Sequence, residues 1–280
     1  MAVRTSALNP VSPETDRTGP ARLARSAGAT VFGTDAAGYH AARIGYPAEL
    51  YEAIAQRGGT VAELLEIGPG TGLATEALLE RFSPWRYVAV EVDKGMAEHL
   101  RARISNPALQ VVTGSFIDAP VGGRFDLAAC AAAFHWLPPE PALARLRGLL
   151  RSGGILALWW NSYRQAGIGD PFAEAVIPLL ADIELPPSEG PTGHYSLDVD
   201  LHRQALGTAG FVGFEPLLFR RERTLTPVEV RRLYATYSYV RVLPPERRDA
   251  LLDDIQALAA RFGQKVPNVT LTALYLATNP

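Results

Sequence analysis

The amino-acid sequence predicts an α/β protein with a doubly wound, mostly parallel sheet. Short apolar segments that alternate like strands are separated by segments whose apolar residues recur at helical spacing. Strands that are joined by helices in this way form a parallel sheet covered on both faces. A glycine-rich turn follows the first predicted strand directly. Sheets of this kind bind ligands at the carboxyl ends of their strands, so we expect the functional site at that edge.

The first half of the chain supplies four strands and the helices between them. Residues 48–56 predict a helix that ends at a Gly-Gly pair, and a second helix runs from the glycine-rich turn to about Phe82. Met96, Leu100 and Ile104 recur every fourth residue and form one apolar stripe on a later helix. The four strands are predicted at residues 61–67, 86–92, 109–114 and 125–131.

The second half begins regularly and then becomes irregular. Residues 141–150 predict a helix that stops at the Ser-Gly-Gly of residues 152–154, and residues 154–160 predict a fifth strand. The alternation breaks at Asn161, and we expect helical cap or lid segments beyond it. These segments cover residues 162–198 and 225–263, around further strands at residues 212–224 and 269–277 and helices at residues 201–211 and 247–262.

Length and charge limit the classes of partner. The chain has 280 residues, of which 48% are hydrophobic, and we expect one domain over residues 29–280. Residues 1–28 are rich in Pro, Thr, Ser and Arg without a clear period, which predicts a disordered tail. A formal net charge of −2 offers no basic field, so no nucleic-acid partner is expected. With no apolar run long enough for a bilayer and no signal segment, we expect a cytoplasmic protein without a membrane partner, and a homo-oligomer stays possible.

The residues that most often bind metals do not form a pattern. The single cysteine, Cys130, lies in the apolar run FDLAACAAAF, which favours a buried structural thiol. The 5 histidines are scattered, with no HxH or HExxH spacing. We therefore expect no metal site.

The glycine-rich turn, EIGPGTG, carries Gly68, Gly70 and Gly72 between a strand and a helix. Glycines at such a turn allow positive φ angles and close approach of a ligand to the backbone. A nucleoside triphosphate site needs GxxxxGK[ST], and no lysine follows here. A dinucleotide site needs GxGxxG, but Leu73 occupies the sixth position.

An acid at the end of the second strand is the next candidate. Glu91 lies 19 residues after Gly72, the separation that a strand-to-strand crossover requires, and can accept hydrogen bonds from both hydroxyls of a ribose. A dinucleotide enzyme shares this feature, so Glu91 does not choose between the ligands. Asp93 precedes KGMAEHL and is expected to cap that helix.

Taken together, the successive motifs resemble those of class I S-adenosylmethionine-dependent methyltransferases, of the bacterial small-molecule type. The matching stretches are YHAARIGYP, LLEIGPGTGLAT, VAVEVDKGM, VVTGSF, FDLAACAAAFHWL and LLRSGGILAL. The resemblance implies a seven-stranded sheet whose last strand is antiparallel, and S-adenosylmethionine as cofactor, with S-adenosylhomocysteine as its product.

The same resemblance assigns cofactor residues. Glu66 and the three turn glycines (Gly68, Gly70 and Gly72) would line the methionine part of the cofactor. Glu91 would bind the ribose, and Ser115 and Phe116 would lie near the adenine. Tyr39, Arg43 and Tyr46 would close over the cofactor from the N-terminal side. One departure from the pattern is Ile117, where relatives often have an acid; Asp118 follows it.

The sequence offers fewer candidates for binding the methyl acceptor. His135 follows the fourth strand beside Trp136 and is the catalytic candidate, either as a general base or as part of the lining, with a purely structural role as the alternative. Trp159 and Trp160 point to opposite faces of a regular strand, so at most one faces the pocket. The substrate-binding candidates are Trp136, Trp160, Tyr163 and Tyr237.

These observations predict a methyltransferase for a small, apolar or aromatic metabolite in natural-product tailoring, with methylation on oxygen, nitrogen or carbon. Two alternatives stay open. The first is a cofactor-binding protein of the same fold that catalyses a non-methylating step such as cyclisation, because fold does not fix chemistry. The second is a nicotinamide oxidoreductase, which Leu73 disfavours.

Overall fold

A seven-stranded sheet organises the chain. The structure, a computed structural model, describes residues 30–163, 170–184, 186, 188–190 and 193–280. The strands are β1 (Glu63–Ile67), β2 (Arg86–Glu91), β3 (Leu109–Thr113), β4 (Phe125–Ala131), β5 (Leu150–Ser162), β6 (Val212–Leu225) and β7 (Val266–Thr278). Their order is β3-β2-β1-β4-β5-β7-β6, and β7 is antiparallel to both of its neighbours. The predicted sheet is confirmed, including its antiparallel last strand.

Ten α-helices connect and cover these strands in the described part of the chain. They are α1 (Ala36–Ala42), α2 (Ala48–Gly58), α3 (Thr75–Phe82), α4 (Lys94–Arg103), α5 (Pro139–Leu149), α6 (Pro171–Val176), α7 (Val199–Thr208), α8 (Pro227–Tyr234), α9 (Ser238–Arg241) and α10 (Pro245–Arg261). None of the helices within the described ranges is long and apolar enough to cross a membrane. The predicted tail, residues 1–28, lies outside the described residues.

The two faces of the sheet bury separate apolar layers, as the alternation of side chains along a strand requires. On one face, Leu65 and Val88 pack with α5 and α7. On the other, Leu64 and Tyr87 pack with α2, α3 and α4. Cys130 is fully buried in the first layer, where burial raises the pKa of its thiol, so the thiol is structural. Helices on both faces leave the carboxyl edge of the parallel strands open for a site.

The helix predicted at residues 141–150 is α5, and it ends at Leu149, close to the predicted end. The segment after it differs from the prediction, because residues 152 and 153, which we expected to be a turn, already belong to β5. Leu150 pairs with Phe125, and Gly153 donates its N–H to the carbonyl of Asn279. These pairings with distant segments extend the strand through a glycine pair that looks like a helix stop in isolation. At its other end, β5 continues to Ser162, beyond the predicted break at Asn161.

A third apolar cluster builds the cap over the carboxyl edge. Side chains from α6, α8 and α10 pack together there, with Phe172, Leu233 and Ile255 among its buried members. Buried Asp170 accepts hydrogen bonds from Ala173 N at the start of α6 and from Val269 N in β7. The cap is therefore one packed unit, although its helices come from two separate regions of the sequence.

Candidate active site

A cavity lies at the carboxyl edge, between the sheet and the cap. Its empty volume is about 1390 Å³, a figure that includes solvent space at the open mouth. The predicted site residues that line it are Tyr39, Arg43, Tyr46, Gly68, Gly70, Glu91, Phe116, His135, Trp136, Trp160, Tyr163 and Tyr237. The other three, Glu66, Gly72 and Ser115, are not in its lining. The structure thus brings most of the predicted residues to a single place.

The glycine-rich turn forms one wall of the cavity. Gly68 and Gly70 have φ angles of 65° and 56°, in the left-handed region that favours glycine. A Cβ on Gly68 would lie 2.4 Å from Cβ of Ala133, so this glycine allows two loops to touch. A Cβ on Gly70 would meet no protein atom within 4 Å. Gly70 is therefore the position at which the backbone is exposed to a ligand.

Glu91 lies beside the turn and shapes it. One carboxylate oxygen accepts the N–H of Gly70 at 2.8 Å, and the other accepts the N–H of Asp93 at 2.8 Å. The side chain is only 5% exposed, and this burial raises the pKa of the carboxyl to about 7. As predicted, Asp93 caps α4 through the N–H groups of Gly95 and Met96.

Glu66 supports the turn from behind. It is fully buried, and its Oε2 accepts the hydroxyls of Thr75 at 2.6 Å and Tyr87 at 2.7 Å. Burial raises the pKa of this carboxyl to about 7 as well. Glu66, in β1, is thus held by Tyr87 of β2 and by Thr75 at the start of α3, and it does not line the cavity. Gly72 likewise packs against Leu100 rather than facing the cavity.

The segment after β3 contributes one ring to the cavity. Phe116 is 2% exposed, and the guanidinium of Arg145 lies 5.4 Å from its ring centroid on the side of α5. The hydroxyl of Ser115 accepts the N–H of Ile117 at 3.2 Å, and Ser115 does not line the cavity. Asp118 is exposed and does not line the cavity, so it does not occupy the place of the acid that Ile117 replaces.

The N-terminal segment forms the roof. Gly33 donates its N–H to Asp93, and Phe32 packs edge-on against Tyr39 with 5.6 Å between centroids. Arg241 of α9 donates to the carbonyls of Val31 and Phe32, each at 3.2 Å. Sequence reasoning missed both anchors, because they join residues about 60 and 210 positions apart.

Arg43 carries a positive charge into this roof. Its Nε donates to the hydroxyl of Thr236 at 2.8 Å. Three tyrosine rings surround its guanidinium, with centroids at 5.2 Å for Tyr39, 5.1 Å for Tyr163 and 4.5 Å for Tyr237. These partners are formally neutral, so a carboxylate from a ligand would supply the opposite charge.

His135 reaches the opposite side of the cavity through a strained turn. Ala132 has a φ of 52°, unusual for a residue with a side chain, and the 3₁₀ turn Phe134–Trp136 follows. The indole N–H of Trp160 donates to Nδ1 of His135 at 3.1 Å. As predicted for adjacent strand residues, only one of the two tryptophans lines the cavity, and Trp159 packs on the other face.

These features fit a nucleoside ligand with an amino-acid part. The exposed backbone at Gly70 permits close approach, the Glu91 carboxylate suits a ribose, and Phe116 offers a ring beside it. No three histidine, cysteine or acidic side chains meet to hold a metal ion within the described ranges. The fold and the site define an α/β enzyme of the doubly wound class with a nucleoside-type site at its carboxyl edge.

Comparison with known proteins identifies the chemistry. Residues 65–158 match the family model of the methyltransferase domain. An uncharacterized methyltransferase of Schizosaccharomyces pombe is 28% identical over 230 residues, 80% of this chain and 86% of the relative. The malonyl-[acyl-carrier protein] O-methyltransferase of Acetivibrio thermocellus is 29% identical over 96 residues, which is 34% of either chain.

A solved structure with the same fold is phosphoethanolamine N-methyltransferase 2 of Haemonchus contortus, in complex with S-adenosyl-L-methionine. Its TM-score is 0.52 at 14% identity, and the match covers 89% of this chain and 57% of that one. The chain therefore has an α/β methyltransferase fold and is a methyltransferase, and S-adenosylmethionine is its cofactor.

Proposed function

We propose that this methyltransferase acts on a small metabolite with an apolar or aromatic body. The observation that carries the proposal is one cavity that is lined both by the glycine-rich turn with Glu91 and by several aromatic side chains. We assign the part beside the turn to the donor, as its first end, and the part beside Trp136 and Trp160 to the acceptor, as its aromatic end.

Residues at the first end are proposed to bind the methyl donor. Glu91 accepts the ribose hydroxyls, Gly70 lets the ligand reach the backbone, and Phe116 packs on the adenine. Arg43 suits the carboxylate of the methionine part, since its own partners are neutral groups. Glu66 does not contact the donor in this proposal; it supports the glycine-rich turn by accepting the hydroxyl of Thr75.

The aromatic end is proposed to bind the acceptor. Trp136, Trp160, Tyr163 and Tyr237 line this part of the cavity, and Phe32 lies 6.4 Å from Trp136, centroid to centroid. Aromatic surfaces bury apolar area without demanding a charged partner. A nucleic acid would instead need a basic groove, and the net charge of −2 gives no support for one.

The chain's own contribution to methyl transfer is placement. The donor supplies a positively charged sulfur that makes its methyl group reactive. The roof residues Phe32, Tyr39 and Arg43 line the cavity on its N-terminal side. Walls on both sides of the cavity hold the acceptor close to the methyl group, and such positioning supplies a large share of the rate in two-substrate reactions.

The relatives and structural neighbours are named for different methyl acceptors. One relative is named for O-methylation of malonyl-[acyl-carrier protein] and one structural neighbour for N-methylation of phosphoethanolamine. The separate cap fits a family in which acceptors differ while the donor half stays constant. A role in bacterial natural-product tailoring in the cytoplasm, with a possible homo-oligomer, is part of the proposal.

Calorimetry with the purified protein tests the first half of this proposal. We expect S-adenosylmethionine and S-adenosylhomocysteine to bind and NAD not to bind. Release of S-adenosylhomocysteine with a panel of aromatic and aliphatic acceptors then tests the second half. Binding of NAD in place of S-adenosylhomocysteine would refute the assignment of the glycine-rich turn, whereas turnover with only polar, non-aromatic acceptors would refute the proposed acceptor class.

A further inference from the structure

One arginine that does not line the cavity holds the glycine-rich turn from its outer side. Arg103, the last residue of α4, donates its Nε–H to the carbonyl of Thr71 at 3.1 Å and an Nη2–H to the carbonyl of Gly72 at 3.2 Å. Its Nη1 forms an ion pair with Glu76 in the first turn of α3. All three nitrogens of the planar guanidinium are therefore bonded, which fixes the group in one orientation.

Gly72 lets α4 approach the turn this closely. Its φ angle is 88°, in the region that favours glycine. A Cβ at this position would lie 2.6 Å from the side chain of Leu100 and 3.2 Å from the guanidinium of Arg103. A larger residue would therefore push α4 and the guanidinium away from the turn.

The bond from Arg103 also orients the next peptide group, between Gly72 and Leu73. This peptide is trans, so its C=O and N–H point in opposite directions. Because the carbonyl of Gly72 points toward Arg103, the N–H of Leu73 points away from α4. Leu73 lines the cavity, and within the described ranges no protein atom accepts this N–H. It lies just before α3, where helix geometry leaves N–H groups without intrahelical partners.

We infer that Arg103 is a positioning residue for the methyl donor, because it directs the N–H of Leu73 toward the carboxylate of the methionine part. A backbone N–H at the start of a helix is a favourable partner for an anion. An N–H that is already oriented needs no ordering when the ligand binds. A carboxylate has two oxygens, so Arg43 and Leu73 can both donate to it. The inference rests on the proposed function and adds a residue outside the cavity to it.

Two ligands that differ only in the carboxylate test this role. S-adenosylhomocysteine carries the carboxylate, and S-adenosyl-3-thiopropylamine lacks it but keeps the nucleoside, the thioether and the amine. Calorimetry measures Kd for both. We expect Arg103→Met to raise the Kd for S-adenosylhomocysteine at least about tenfold, as loss of a hydrogen bond to a charged group would. The Kd for the decarboxylated ligand should change by less than about twofold, because that ligand has no group for the N–H of Leu73.

Two further variants separate this role from general support of the fold. Arg101 lies on the same helix and donates to the carbonyl of Val111 at 2.8 Å and to the hydroxyl of Thr113 at 2.7 Å, away from the turn. Arg101→Met should leave the ratio of the two Kd values unchanged. Arg103→Lys keeps a donor for one carbonyl and should restore part of the affinity for S-adenosylhomocysteine. If Arg103→Met raised both Kd values equally, or neither, the inference would be overturned.

The amide signal of Leu73 gives a test that needs no variant of Arg103. In ¹⁵N-leucine-labelled protein it is assigned by its loss in Leu73→Met. We expect its proton to shift downfield on binding of S-adenosylhomocysteine and much less with the decarboxylated ligand. Equal shifts with the two ligands would overturn the inference even if every Arg103 variant failed to fold. Failure of the unmodified protein to bind S-adenosylhomocysteine would instead refute the proposed function itself.

Discussion

The substitution Glu91→Gln separates two properties of this side chain, its charge and its shape. In the structure both carboxylate oxygens face N–H donors, from Gly70 and Asp93. Glutamine has one oxygen and one NH₂ group, so one of these donors must face another N–H. The variant also presents one acceptor fewer to a ribose. Hydrogen bonds to a charged group contribute about 1.5–3 kcal/mol. We therefore expect the Kd for S-adenosylhomocysteine to rise at least tenfold, which corresponds to about 1.4 kcal/mol.

The pH dependence gives a second, independent signature of Glu91. Burial raises the pKa of its carboxyl to about 7, above the ordinary value of 4.5. A ligand that donates two hydroxyls binds the ionised form, so its affinity should increase as the pH rises to 7 and then level off. Below pH 7 the ionised fraction falls roughly tenfold per unit, and Kd should rise in proportion. Near pH 7 binding should release about half a proton.

Calorimetry with S-adenosylhomocysteine at pH 6, 7 and 8, in buffers of different ionisation enthalpy, measures both effects. In Glu91→Gln the pH slope and the proton release should be much reduced. Glu63→Gln is the matched control, since Glu63 pairs with Arg86 at 2.9 Å and lies outside the cavity. Equal Kd values for Glu91→Gln and the unmodified protein, in a folded variant, would refute the assignment of Glu91 to the ribose. An unchanged pH slope would refute its raised pKa as the cause.

Two further predictions concern stability and the turn. Burial lowers the pKa of His202 to about 4, from the ordinary value of 6.5. As the pH falls below 6.5, the unfolded state therefore binds a proton that the folded state does not bind. The free energy of unfolding should fall by up to about 3 kcal/mol by pH 4 for this reason. Urea unfolding at pH 7 and pH 4.5 should show a smaller loss for His202→Phe, and equal losses would contradict this origin. For the turn, Gly68→Ala should lower Tm clearly, since its Cβ would lie 2.4 Å from that of Ala133. Gly70→Ala meets no atom within 4 Å and should cost only about 1–2 kcal/mol of backbone strain while reducing S-adenosylhomocysteine affinity at least tenfold. Melting curves and calorimetry with S-adenosylhomocysteine on Gly68→Ala and Gly70→Ala test these two expectations. Similar effects of both substitutions on Tm and on affinity would contradict them.

The sheet could be predicted from the sequence because its signals are local. Each strand carries its own run of apolar residues, and Asp93 caps α4 within three residues of its position. The last strand was placed by the resemblance and by the alternation of VTLTALYLA, and it pairs antiparallel with β5 as expected. The prediction failed where pairing with a distant segment of the chain determines the local structure. The Ser-Gly-Gly of residues 152–154 reads as a helix stop, but pairing with Asn279 makes it part of a strand.

The site residues also fall into two groups, those that the local sequence predicts and those that tertiary packing determines. Glu91 and the turn glycines could be found because their spacing follows from one strand-turn-helix unit and one crossover. The hydrogen bond from the Trp160 indole to Nδ1 of His135 joins the ends of two neighbouring strands, β4 and β5. Nothing in the local sequence reports it. The anchors of the roof at Arg241 and Thr236 also depend on tertiary packing alone.

The separate apolar cluster of the cap has a consequence for how such an enzyme can change. Leu233, Ile255 and their neighbours are packed with one another and not with the two layers that flank the sheet. Substitutions within this cluster are therefore expected to change the stability of the cap more than that of the two layers that flank the sheet. Sequence drift in the cap can explore new acceptors while the glycine-rich turn remains intact. The cap can therefore diverge in sequence among relatives while the residues around the glycine-rich turn stay the same.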